Sequence, residues 1–234
     1  MTPLAKRARI AGALYTLQGF IGPIRLIYIP STLIVSGNAI ATADNIGTHE
    51  TLFRFGILSD LVTAVLALAI TLALYRLFRD VDERLAKLLV ILGGLIVTPI
   101  GVVNTVNDAA ALMLVRGADY LTVFDRTQRD ALAMLFLRLH HAGVVANEIF
   151  WGLWLFPFGL LVIRSRFLPR FLGVWLIAAG VAYVLLSLVG VMAPQAEDRV
   201  FGLASPVLFA EVAMMLWLLI MGAKEKAPKP VIAA

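Results

Sequence analysis

The sequence predicts an all-α, polytopic membrane protein: a six-transmembrane-helix bundle with both termini in the cytoplasm. Three observations carry this reading. Of 234 residues, 61% are hydrophobic and only 15% charged, whereas soluble domains hold roughly 25% charged residues. The apolar residues fall into six runs, each long enough to cross about 30 Å of hydrocarbon at about 1.5 Å of rise per residue. Lys and Arg gather in alternate connections between those runs, the arrangement of cytoplasmic loops.

The runs are 10–29, 53–75, 88–114, 131–163, 171–193 and 204–222. The first follows Lys6, Arg7 and Arg9, and Ala41 and Ala43 resemble a leader cleavage site. A run of this length that contains Arg25 exceeds the apolar core of a leader peptide, so it reads as the first span. Pro23 and Pro99 are expected to kink the first and third spans. The fourth run reaches about 50 Å as one helix, too short to cross twice, so one long tilted helix kinked at Pro157 is expected. The segments assigned inside hold thirteen of the twenty basic residues and those assigned outside hold five, with Arg25 and Arg138 inside spans. This asymmetry sets both ends inside. Residues 30–52 and 115–130 read as outer loops, and Pro194–Arg199 as a short turn. Residues 1–223 thus make one six-span domain, and 224–234, with Pro228 and Pro230, read as a disordered cytoplasmic tail.

Composition also excludes. There is no cysteine, which removes disulfides and thiolate metal sites. The net charge of +5 would suit nucleic acid, but the basic residues are spread between apolar runs, so the bilayer is the expected partner. No phosphate-binding glycine loop, dinucleotide fingerprint, His-Glu-x-x-His helix or nucleophile elbow occurs. No cofactor and no metal is implied, because metal binding needs three or four converging ligands and adjacent histidines are a poor start. One internal echo stands out: Gly12, Tyr15 and Gly22 match Gly180, Tyr183 and Gly190 at constant offset. Chance among Gly- and Ala-rich helices is the plainer reading, a parallel repeat the other.

Several strings resemble a family. They are Ala8-Arg9-Ile10-Ala11-Gly12-Ala13-Leu14-Tyr15, Leu52-Phe53-Arg54-Phe55-Gly56-Ile57 with Asp60-Leu61, Gly117-Ala118-Asp119-Tyr120, and Arg164-Ser165 with Leu168-Pro169-Arg170 and Gly173. In this order they are similar to the bacterial and archaeal membrane family called domain of unknown function 4386. The resemblance implies a multi-span protein of a prokaryotic cell membrane and no particular activity. In that family an acidic residue often stands two before the histidine matching His140; here Arg138 holds that place.

Polar residues within apolar runs are costly, and they face the bundle interior, pair, or reach the interface. The candidates for a ligand site are Arg25, Asp60, Asn104, Asp108, Arg138, His140, His141, Asn147, Glu148 and Glu211. Measured from the outer end of each run, Arg25 lies about 6 Å down, Asp60, Asp108, Arg138 and Glu211 about 10 Å, and the histidines about 14 Å. Five runs therefore place polar groups at similar depth in the outer leaflet. A water-accessible pocket open to the outside is expected, with Arg25–Asp60 and then Arg138–Asp108 as the simplest ion pairs. His140 and His141 point about 100° apart, so one of them is central at most. Asn104 and Asn107 read more readily as helix–helix contacts. Trp151 and Trp154 read as packing or interface anchors. Three functions stay open: binding or transport of a small polar molecule or ion, an intramembrane enzyme using buried His and carboxylates, and a non-catalytic partner protein. Oligomeric state is not legible.

Overall fold

The computed structural model describes residues 2–224. Among these residues there are helices and turns and no strand, and six helices are long and apolar enough to cross a membrane. They are Pro3–Leu33, Glu50–Phe78, Glu83–Arg116, Arg126–Ser165, Arg170–Met192 and Pro194–Met221. Each is several residues longer than the apolar run that announces it, except the fifth. The chain is an integral membrane protein. Large apolar side chains ring its outside, among them Phe20, Val65, Val103 and Leu203, each at least 65% exposed. Such a surface is unfavourable in water and suited to acyl chains.

The ends of the spans show local chemistry that hydropathy does not. Asp125 caps the fourth span in a capping box: its carboxylate accepts from the Gln128 backbone N–H while the Gln128 side chain accepts from the Asp125 N–H. That cap starts the helix at Arg126, five residues before the apolar run. The sixth span likewise starts earlier than expected. A short 3₁₀ turn at Pro194–Ala196 leads into a helix from Glu197, with Glu197 and Asp198 favourably placed in its first turn. Asp82 caps the third span by accepting from the Leu85 backbone N–H, and Arg164 at the end of the fourth span donates to it at 2.5 Å. The Leu85 N–H, with the Arg164 guanidinium beside it, holds the Asp82 carboxyl below the usual carboxylate range.

One element is absent from the sequence reading. Residues 30–52 are not a plain loop: Ala39–Thr48 forms a helix capped by Asn38, whose side chain accepts from Ala41 N–H. It lies at the face of the bundle opposite the termini, here called the far face. Ile46 is fully buried among Ile29, Leu33, Phe53 and Leu112, and Asp44 pairs with Arg126. Of the tail expected at 224–234, all but Lys224 lies outside the described residues.

Proline accounts for three of the irregular turns. Pro23 has no N–H for the Gly19 carbonyl, and a wide π-helical turn follows at Ile24–Tyr28. Pro99 leaves the Leu95 carbonyl free, within the π turn Ile91–Ile96. Pro157 cannot bond to Leu153, and the fourth span breaks at Trp154 into Arg126–Leu153 and Leu155–Ser165. Glycine permits close helix contacts. A Cβ on Gly159 would lie 2.5 Å from the Gly173 carbonyl oxygen, and one on Gly173 would lie 2.6 Å from that of Gly159. The fourth and fifth spans therefore meet backbone to backbone. Two apolar cores result, one near the termini around Leu74, Phe78, Phe158 and Leu172 and one near the far face around Phe53 and Leu112.

Candidate functional site

A cavity of about 600 Å³ borders both cores. It is lined from the first, second, third, fourth, fifth and sixth spans, and its rim includes the exposed Ser36, Arg138 and Asp198 at the far face. Its polar groups fall into two tiers.

The upper tier centres on Arg25. The π turn presents Arg25 inward while Ile24, Leu26 and Ile27 remain on the outside. Its guanidinium grips Asp108 with two parallel bonds, Nε to Oδ2 at 2.5 Å and Nη2 to Oδ1 at 2.6 Å. Arg25 is 3% exposed and Asp108 not at all, so this pair interlocks dry, in the fork geometry that arginine and carboxylate share. His140 stands between two carboxylates. Its Nδ1 lies 3.4 Å from Asp108 Oδ2 and its Nε2 lies 3.5 Å from Asp60 Oδ2. The Nδ1 atom is buried and has no hydrogen-bond partner. Asn104 donates from its amide to the His140 carbonyl at 2.9 Å, and Asn107 donates to Asn104 Oδ1 at 3.0 Å. Gly143 makes room for this: a Cβ there would collide with the Asn104 side chain. Asp60, His140, Asp108 and Arg25 thus form a continuous line along the cavity wall, with Asp108 behind it.

The same line offers one ligand atom each from Asp60, Asp108 and His140, all within 4.8 Å of one another. A cation there would stand close to the Arg25 guanidinium, which bonds both oxygens of Asp108.

The lower tier centres on Glu211. The Tyr15 hydroxyl donates to Glu211 Oε2, and Tyr183 lies beside the same carboxylate. Trp151 and Trp154 stand beside the tyrosines. Tyr15 meets Trp154 edge-on with centroids 5.7 Å apart, and Trp151 meets Tyr183 edge-on at 6.0 Å. All five residues line the cavity.

The sequence reading placed these groups together but paired them differently. Arg25 takes Asp108 and not Asp60, because the π turn aims it at the third span and Asp60 faces His140 instead. Arg138 does not pair with Asp108. It lies two residues and about 200° around the helix from the buried His140, and it is exposed at the rim. Of the two histidines, His140 is central and 4% exposed. His141 sits at the rim, its Nε2 3.2 Å from Glu197 Oε1. Asn147 is buried on the cavity wall with Oδ1 unpartnered. Glu148 is half-buried near Glu197 and does not line the cavity. Glu211 is deeper than its apolar run suggested. The sixth helix begins at Glu197, which puts Glu211 about 21 Å along it. The neighbours of Glu211, Tyr15 and Tyr183, were not among the candidates. Their trace was the echo between the first and fifth spans, since they hold matching positions in it.

Fold and site define a polytopic, all-α membrane protein built around an internal polar cavity. The family described as domain of unknown function (DUF4386) matches residues 10–222, and the chain belongs to it. No curated protein and no solved structure matches the chain.

Proposed function

We propose that this protein binds a small polar or amphipathic solute in its central cavity and moves it across the bilayer, with the Asp60–His140–Asp108 line carrying a proton. The observation that carries the reading is the cavity itself. Charged groups buried only to hold helices together interlock without space between them, as Arg25 and Asp108 do with each other, although Arg25 also borders the cavity. Asp60, Gln18, Asn104 and Glu211 instead border a space large enough for a metabolite. The rim at the far face, the outer side by the distribution of basic residues, gives a route of entry. An imidazole between two carboxylates is suited to accept a proton from one side and pass it to the other.

Screening the purified protein for solutes that raise its melting temperature, followed by counterflow of a labelled hit in proteoliposomes, tests this. Gly22→Trp should abolish both effects, since a side chain at Gly22 enters open space beside Thr63 at the cavity wall. Asp60→Asn and His140→Ala should remove uptake driven by a proton gradient. Counterflow that persists in Gly22→Trp contradicts the proposal. A second reading, an intramembrane enzyme, is favoured by the convergence of Asp60, Asp108 and His140. Elemental analysis that finds stoichiometric metal, lost in Asp60→Asn, would select it.

A further inference from the structure

We propose that the floor of the cavity takes an organic cation, an ammonium on an apolar or aromatic body, with Glu211 as its counter-charge. This rests on the cavity being a ligand site and adds the class of ligand.

Three independent features converge on it. The first is the state of Glu211. Among the described residues no Arg, Lys or His pairs with it; the Tyr15 hydroxyl donates to it and Tyr183 lies beside it. A carboxylate offers about four acceptor positions, so acceptor capacity remains toward the cavity.

The second is the ring of aromatic side chains. Tyr15, Trp151, Trp154 and Tyr183 surround the same end of the cavity, and the Tyr15–Trp154 and Trp151–Tyr183 pairs are both edge-on, at 68° and 88°. Trp154 also stacks on Phe158, with centroids 5.4 Å apart at 25°, and Tyr15 is buried, so Trp151 and Tyr183 are the rings left to offer a face to the cavity. Tryptophan and tyrosine faces attract ammonium groups, most strongly where water is excluded. Glu211 supplies the full charge and the rings supply the surrounding negative faces.

The third is the charge of the whole cavity. Four carboxylates line it, Asp60, Glu197, Asp198 and Glu211, against two guanidiniums, Arg25 and Arg138. Arg25 is already held by Asp108, and Arg138 is at the rim. An anion at the floor would meet the Glu211 carboxyl with no cationic side chain beside it. A cation pairs the ionised form of Glu211, which burial otherwise disfavours, and passes Asp198 and Glu197 at the mouth, where His141 and Arg138 also stand. The echo between the first and fifth spans gains a physical meaning here: matching positions of the two helices supply the two tyrosines beside Glu211.

Three benzyl compounds that differ in charge test the proposal: benzyltrimethylammonium, benzyl alcohol and phenylmethanesulfonate. Each is titrated into the purified full chain in detergent, followed by tryptophan fluorescence, with empty micelles as the blank. The expected result is saturable binding of benzyltrimethylammonium, at least about tenfold tighter than the other two. Glu211→Gln should weaken it by about tenfold or more, and Trp151→Leu should weaken it while leaving the carboxylate in place. If Glu211→Gln does not fold, the charge series on the wild type and Trp151→Leu decide the matter. Equal or tighter binding of the sulfonate, no binding of the cation, or full affinity in both variants would overturn the proposal. Any of these would leave the cavity as a site for another solute, which the Gly22→Trp counterflow experiment judges separately.

Discussion

Asp108 has no exposed surface, and both of its oxygens are taken by Arg25. Removing one partner strands the other charge, so Asp108→Leu should cost about 3–5 kcal/mol. The double variant Arg25→Met with Asp108→Leu should recover most of that, as measured by denaturation in mixed micelles. His141→Ala should do little by the same measure, because its contact with Glu197 is at an exposed rim, where such pairs contribute about 0–1 kcal/mol. The identity of the polar residues was legible because each interrupts an apolar run. Their pairing was not. Hydropathy reports depth along a helix, whereas pairing depends on rotation about it, and one wide turn after Pro23 is enough to send Arg25 to the third span. Tyr15 and Tyr183 were overlooked for a related reason: a tyrosine in an apolar run is unremarked until its hydroxyl is found against a carboxylate.

The helices themselves were largely readable as six runs, and their ends were not. Caps and turns are set by one or two residues, such as Asp125 with Gln128 or Pro194 before Glu197, and these lie outside any apolar window. The helix Ala39–Thr48 is hidden in the sequence because its composition is that of a loop and its buried stripe is only Thr42, Ala43 and Ile46. At this scale Gly159→Val should be among the most damaging single changes, since its side chain would meet the Gly173 carbonyl and Ile177. A clear fall in melting temperature is expected, whereas Gly202→Ala, in open space, should be neutral. Asp82 ties the start of the third span to the end of the fourth. Its carboxyl titrates lower in the folded protein than in the unfolded chain. It therefore contributes stability above the unfolded value, and that contribution is lost as pH falls through the folded value. Asp82→Asn should be less stable than wild type at neutral pH, and the gap should close on acidification.

At the scale of the molecule, a lipid-facing shell surrounds a cavity with polar groups in its walls. The two properties oppose each other along single helices, so that neighbouring residues of one span meet different solvents. Leu17 and Gln18 of the first span show it: Leu17 is 47% exposed on the outer surface, while Gln18 lines the cavity and donates to the Thr63 carbonyl. The sequence contains no cysteine, so single cysteines can report on each position without background. The most direct test compares Leu17→Cys with Gln18→Cys in membrane vesicles treated with a charged, membrane-impermeant thiol reagent. Labelling of Gln18→Cys, with Leu17→Cys protected by lipid, is the result expected here. Protection of both would mean that water does not enter the bundle, and labelling of Leu17→Cys alone would mean that the shell and the interior have been assigned the wrong way round.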